Sequence, residues 1–244
     1  MKDGTMKTDA GIIAAMEEEC EGLISRMSGR EETRIGPFTY HTGTLEGRRI
    51  CLLKCGIGKV NAAVGTAMMI ERWNPGYMIN TGVAGGFSEN LKVGDIVLSD
   101  KVIHHDADAV VFGYVPGQIP GMPEHYEGDH ALLSHAASLT PADPSVHLIP
   151  DLIASGDSFI HRDEQIEQIR KRHPDVAAVE MEAAGIAQAC HLFEIPFLII
   201  RSLSDVVGDT DNQLTYDEFL PLAARNSMDM VLKILRTFNP ADKG

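Results

Sequence analysis

The stretch Phe197-Leu-Ile-Ile-Arg-Ser-Leu-Ser-Asp205 opens with four consecutive apolar residues, and that run reads as a strand buried on both faces. Gly11-Ile-Ile-Ala-Ala15 is a second run of the same kind, and residues 77–80, 95–98 and 148–154 read as further strands. Helical patterns lie between them. One opens at Glu17-Glu18-Glu19, acids favoured at the positive end of a helix dipole. Others cover residues 61–73, ending before Pro75, then 165–172 and 183–193. Residues 38–45 and 49–54 alternate around Glu46-Gly47, a hairpin signal. A last helix fills much of residues 216–238, with Thr215 and Glu218 at capping-box spacing and Pro221 expected to disturb the first turns. This alternation implies an α/β fold in a single domain, a central mixed β-sheet flanked by helices. Residues 10–240 form that domain, and the polar residues 1–9 are expected to be a disordered extension.

Composition narrows the function classes. A chain of 244 residues can bury one large core. Its formal net charge of −14 argues against nucleic acid, which needs a basic surface to displace counterions. Cys20, Cys51, Cys55 and Cys190 show neither C-x-x-C nor clustering, which suits a reducing compartment and buried thiols. No run approaches the roughly twenty apolar residues of a membrane helix, and the N-terminus does not read as a signal peptide. A soluble cytoplasmic enzyme is the expectation.

Polar residues gather at the ends of the apolar strands, where open α/β sheets place their ligands. The segments are Ala15-Met-Glu-Glu-Glu19, the glycine-rich turn Thr81-Gly-Val-Ala-Gly-Gly86, Ser155-Gly-Asp-Ser-Phe159, Val179-Glu-Met-Glu182 and Arg201-Ser-Leu-Ser-Asp205. The glycine segment is neither G-x-G-x-x-G nor a P-loop, so dinucleotide and triphosphate binding are poorly supported. His104-His105-Asp106-Ala-Asp108 has metal-binding residue types, but alternate residues of a strand face opposite ways, so structural hydrogen bonding is expected and no metal. No G-x-S-x-G elbow supports a serine nucleophile. Acids and one arginine at strand ends, with an aromatic, suit a reaction through a cationic sugar that expels a base.

These residues carry a resemblance. The motifs Gly11-Ile-Ile-Ala-Ala-Met-Glu-Glu-Glu19, Gly56-Ile-Gly-Lys-Val60, Asn80-Thr-Gly-Val-Ala-Gly-Gly86 and Leu91-Lys-Val-Gly-Asp-Ile96 follow one another in order. Then come His105-Asp-Ala-Asp108, Phe112-Gly-Tyr114, Ser155-Gly-Asp157, Val179-Glu-Met-Glu182, Ser204-Asp205 and Asp217-Glu-Phe219. Together they cover nearly the whole chain and resemble the 5′-methylthioadenosine/S-adenosylhomocysteine nucleosidases, within the nucleoside phosphorylase and nucleosidase family. The resemblance implies that Asp205 is the acid that protonates adenine N7 and Glu19 the base that activates water, with Arg201 nearby. It implies that Glu182 holds the ribose hydroxyls, Met181 packs on the sugar, Phe159 stacks on adenine and the backbone of Ile160 reads its edge. Ala15, Met16, Val83, Ala84, Gly85, Glu180 and Ser204 complete the implied substrate contacts. Ile57 and Tyr216 would enclose the 5′ substituent with Phe112, Tyr114 and Pro120, the last three from a partner subunit of a homodimer.

The implied reaction releases adenine from 5′-methylthioadenosine and S-adenosylhomocysteine, and also from 5′-deoxyadenosine, without a cofactor. Methionine salvage is its implied setting. An aminodeoxyfutalosine nucleosidase and a purine nucleoside phosphorylase are the alternatives on the same fold. Val83 stands where many relatives have serine, and Tyr216 where phenylalanine is common.

Overall fold

The computed structural model describes residues 7–88, 90–207 and 212–240, and its strands form one ten-stranded mixed sheet. The first half of the chain contributes β1 (Ala10–Ala14), α1 (Glu17–Ile24), β2 (Ser28–Ile35), β3 (Phe38–Leu45), β4 (Arg48–Lys54), α2 (Lys59–Trp73), β5 (Met78–Gly86) and β6 (Ile96–His104). The second half adds β7 (Tyr126–Glu127), α3 (His130–Ser138), β8 (Leu148–Ser155), α4 (Asp163–Arg172), β9 (Val176–Glu180), α5 (Ala183–Leu192), β10 (Phe197–Val206) and α6 (Asn212–Thr237).

Strand periodicity divides the core into two layers. Ala10, Ile12 and Ala14 of β1 face one side, and Ile13 faces the other. Ile50 and Leu52 against Cys51 and Leu53 repeat the division on β4, as do Leu198 and Ile200 against Phe197 and Ile199 on β10. One face packs on α2 and α5 through Met69, Trp73, Ala183, Ile186 and Ala187. The other packs on α1, α3 and α6 through Leu23, Leu132, Val231, Ile234 and Leu235. Burial on both faces is what the unbroken apolar runs require.

The sheet also closes on itself. β5 pairs with β10, β10 with β6, β6 with β8, β8 with β9, and β9 returns to β5 at Gly85 and Gly86. On its other side β1, β4, β3 and β2 extend outward from β5.

Four expectations need correction, and one strand is added to them. Thr81–Gly86 is not a turn but the second half of β5, and Arg201–Asp205 lies inside β10. Their polar residues are strand residues: Thr81 pairs with Ile200 and Asp205 with Gly85, while Arg201 and Ser202 have strand neighbours on both sides. β2, Ser-Gly-Arg-Glu-Glu-Thr-Arg-Ile, was not expected as a strand: it is largely exposed at the sheet's edge, where charges protect the open backbone. α6 begins at Asn212, so Thr215 lies inside it and Pro221 is internal. Pro221 removes one backbone donor, but buried Met230, Val231, Ile234 and Leu235 anchor the helix to the sheet. Residues 7–9 of the expected extension belong to the fold: Thr8 N donates to Trp73 O at 3.0 Å and Asp9 N to Arg49 O at 2.7 Å. Residues 1–6 lie outside the described residues.

α2 and α5 approach closely at Gly185, where a methyl group would sit 2.5 Å from the Lys59 carbonyl oxygen. That oxygen is backbone at the start of α2 and has nowhere to go. Alanine is the better helix former by about 1 kcal/mol, yet overpacking costs about 1–3 kcal/mol and should win. The net loss is about 1 kcal/mol, so Gly185→Ala is expected to lower the melting temperature by roughly 2–4 °C, read by calorimetry. A melting temperature at or above the original would show that α2 yields at this contact.

Candidate active site

β1 stops at Ala14, but β5 continues to Gly86. β1 pairs with β5 only as far as Asn80, and β9 takes over that side at Gly85. A cavity opens where the two neighbours separate. The segment after β1 brings Ala15, Met16 and Glu19, and β5 brings Val83, Ala84 and Gly85. The end of β9 brings Glu180, Met181 and Glu182, and β10 brings Arg201 and Asp205. Ile57, Phe159, Ile160 and Tyr216 complete the wall.

Glu19 sits in the first turn of α1 and folds back over the end of β1. Its Oε2 accepts Ala15 N at 2.8 Å and Met16 N at 3.0 Å, and its Oε1 accepts Val83 N at 3.0 Å. Burial pushes the carboxyl pKa above its ordinary value, against Arg201 and the three N–H donors. Gly82 makes room beside it. A methyl group there would lie 2.4 Å from Arg201 Nη1 and 2.5 Å from Glu19 Oε1.

Arg201 is the hub of the polar wall and is 1% exposed. Its Nη2 donates to Asn80 Oδ1 at 2.7 Å, Glu180 Oε2 at 2.6 Å and Glu182 Oε2 at 3.4 Å, and its Nη1 donates to Val83 O at 3.2 Å. Asn80 is itself fixed by donating to Ile13 O at 2.9 Å. Glu182 accepts Gly58 N at 2.9 Å from the loop before α2, and burial pushes its carboxyl up to about 7. Four carboxyl groups, of Glu19, Glu180, Glu182 and Asp205, line a cavity whose only cation among the described residues is Arg201. Such a wall attracts developing positive charge and repels anions.

Asp205 owes its position to an irregularity in β10. Leu203 pairs with Ala84 and Asp205 with Gly85, so two steps on β10 match one on β5. The bulge re-aims the side chain. Ser204 Oγ donates to Asp205 Oδ1 at 2.7 Å, and Asp205 is buried. Gly85 again leaves space, since a methyl group there would stand 2.8 Å from Val207 and 3.2 Å from Asp205 Oδ2.

The apolar wall is more open. Phe159 is 43% exposed and meets the Tyr216 ring edge-on at 5.8 Å, and Tyr216 Oη reaches Met16 Sδ at 3.5 Å. The loops carrying Ile57 and Phe159 are tied together, because Asp157 Oδ1 accepts Lys59 N at 2.8 Å and Asp106 bridges Lys59 Nζ and Asp157 N. His104 pairs with Gln188 at 3.1 Å and Asp108 with Arg172 at 2.8 Å. The His-Asp segment thus ties β6 to α5, Asp108 to α4, and the loops at Lys59 and Asp157 to each other. No group of three or more His, Cys, Asp or Glu suited to a metal occurs among the described residues.

Most of the expected residues converge here, and four do not line the cavity. Ser204 acts from behind, through Asp205. Phe112, Tyr114 and Pro120 stand away from their own chain's cavity. Sequence reasoning did not single out Asn80 and Ser155 as site residues. The signal was there in Asn80, a polar residue directly after Met78-Ile79 in a buried strand.

Comparison with known proteins agrees with this geometry. Residues 9–236 match the description of the phosphorylase superfamily. A 5′-methylthioadenosine/S-adenosylhomocysteine nucleosidase of Maridesulfovibrio salexigens is 48% identical over 226 residues, covering 93% of this chain and 98% of the relative. Among solved structures, the corresponding nucleosidase of Colwellia psychrerythraea 34H in complex with adenine superposes with a TM-score of 0.91 at 40% identity, over 95% of this chain and 96% of that one. The Neisseria meningitidis nucleosidase in complex with methylthio-immucillin-A gives 0.88 at 43% identity, over 94% and 99%. This chain belongs to the phosphorylase superfamily and, within it, to the 5′-methylthioadenosine/S-adenosylhomocysteine nucleosidases.

Proposed function

We propose that the chain hydrolyses the N-glycosidic bond of 5′-methylthioadenosine and S-adenosylhomocysteine, with 5′-deoxyadenosine as a further substrate. Adenine and the 5-substituted ribose are the products, and methionine salvage in the cytoplasm is the setting. The anionic cavity carries this reading. Its carboxylates outnumber its one arginine, and Glu19 fills the three backbone N–H groups of Ala15, Met16 and Val83. A phosphate nucleophile would find those donors taken and a negative wall around them, whereas water meets no such barrier.

In the reaction, the bond between the sugar C1′ and the base nitrogen breaks and its electron pair leaves with adenine. Asp205 gives a proton to N7 of the base, which turns a poor leaving group into a good one. Positive charge grows on the sugar and is stabilised by the surrounding carboxylates. Water attacks C1′ and loses a proton to Glu19, whose burial makes it a stronger base than an exposed carboxylate. Glu182 takes the ribose hydroxyls, Met181 covers the sugar, and Phe159 stacks on the base while the Ile160 backbone meets its edge. The carboxyl of Asp205 also suits the exocyclic amine of adenine and disfavours the O6 of guanine.

The 5′ end is where a second copy of the chain enters. Ile57 at the mouth is 54% exposed, and Val111 and Phe112 are 86% and 79% exposed on a segment that leaves its own cavity alone. A two-fold dimer would bury these side chains and bring Phe112, Tyr114 and Pro120 to the partner's pocket.

Three outcomes test the proposal. Asp205→Asn keeps shape and loses the proton, so turnover should fall at least roughly a hundredfold, more than substrate binding; near-normal turnover would remove Asp205 from its role. Added phosphate should neither speed the reaction nor yield a sugar phosphate by mass spectrometry, and detection of ribose 1-phosphate would make the chain a phosphorylase. For assembly, light scattering should report a dimer. Provided Tyr114→Ala alone is impaired and subunits exchange, mixing it with Asp205→Asn should restore one intact site per dimer. A monomer at working concentration sinks this part of the reading.

A further inference from the structure

Arg201 does not share itself evenly. Its Nη2 stands 2.6 Å from Glu180 and 3.4 Å from Glu182, and its Nη1 stands 4.0 Å from Glu19. The tightest partner is also the carboxylate most heavily engaged by the protein. Besides Arg201, Glu180 Oε2 receives Glu182 N at 2.9 Å and Ala183 N at 2.8 Å. Its Oε1 takes the hydroxyl of Ser155, which in turn accepts Ala184 N at 2.8 Å. Donors from the end of β8, the start of α5 and β10 thus hold Glu180 in one place.

We propose that Glu180 is a positioning residue: it draws the Arg201 guanidinium to itself and so leaves Glu182 without a tight counter-ion. This inference rests on the reading of Glu182 as the ribose-binding carboxylate. Were Arg201 drawn onto Glu182, that carboxylate would be locked in an ion pair for which ribose hydroxyls would have to compete. With Arg201 held by Glu180, the Glu182 oxygens stay available to substrate.

The groups facing Glu182 are Arg201 on β10, Glu180 on β9, Glu19 on α1 and Cys55 after β4, with the Gly58 N–H donating from the loop before α2. Burial acts most strongly on Glu182, Arg201 opposes it, and the like charge of Glu180 adds to it, giving a value of about 7. Removing the Glu180 charge relieves the repulsion and frees Arg201 for Glu182. Both changes favour the ionised form, so the Glu182 titration moves to lower pH.

The test is a carbon-13 NMR titration of the protein labelled at glutamate carboxyls, with the Glu182 resonance identified by its loss in Glu182→Gln. Glu180→Gln should bring the Glu182 midpoint down by about one pH unit. Glu180→Asp keeps the charge but draws it back from Arg201, and should give a smaller drop in the same direction; it carries the test if the Gln variant does not fold. Ser155→Ala removes a ligand of Glu180 but no charge, and should leave the midpoint in place while the melting temperature falls. An unmoved midpoint in a folded Glu180 variant overturns the inference. So does a Ser155→Ala drop as large as that of Glu180→Gln, which would report general loosening. Affinity for a non-hydrolysable adenine C-nucleoside, measured against adenine alone, separates the two claims. If the NMR midpoint moves and the ribose-dependent affinity does not follow it, the positioning role stands and the ribose-binding role of Glu182 fails.

Discussion

One buried guanidinium faces more negative charge than it can neutralise, and the site is built around that imbalance. Arg201 lies within 4.0 Å of carboxylate oxygens from Glu19, Glu180 and Glu182, which reach it from α1, the end of β9 and the turn before α5. Without Arg201, three carboxylates would be desolvated with no cation to answer them, and burial of that kind is among the most costly in a folded chain. Its own place depends on Gly82, Asn80 and the Val83 carbonyl, all from the stretch of β5 where β1 stops. Strand pairing, glycine placement and ionisation are therefore one constraint.

That constraint costs stability. The folded state holds the Glu182 proton more tightly than the unfolded chain, with a value of about 7 against an ordinary 4.5. The folded form is therefore progressively disfavoured as pH rises from about 4.5 to about 7, and the penalty stays constant above that window. A core optimised for stability alone would replace such a group. Its retention fits a cavity that must meet a cationic sugar with charge already in place, because preorganised charge needs no rearrangement when the bond breaks.

Much of this was legible in the residues. The unbroken apolar runs at Gly11–Ala15 and Phe197–Ile200 required a sheet covered on both faces, and the polar ends of those runs located the site. What escaped the reading depends on contacts distant in sequence. Thr81–Gly86 has the composition of a turn, and only the neighbouring Arg201, Glu19, Asp205 and Val207 side chains explain why a strand needs glycine there. Glu180 and Glu182 look equivalent along the chain, but Ser155, twenty-five residues before Glu180, engages only the first. The charged strand β2 was invisible because an edge strand carries no buried face to set a period.

The N-terminal turn of α1 places a carboxylate of the chain itself where backbone donors converge. Backbone N–H groups at the start of a helix make a natural cradle for an anion. Ala15 N and Met16 N just before α1 and Val83 N on β5 converge on one such site, and here the anion is the chain's own Glu19 carboxylate. An internal carboxylate occupies the cradle without loss of translational freedom, so a free anion would have to displace it and then face the remaining acids. The contacts that would shut out an anionic nucleophile also fix the proposed base against the cavity. Exclusion of phosphate and activation of water would then be two consequences of one side chain.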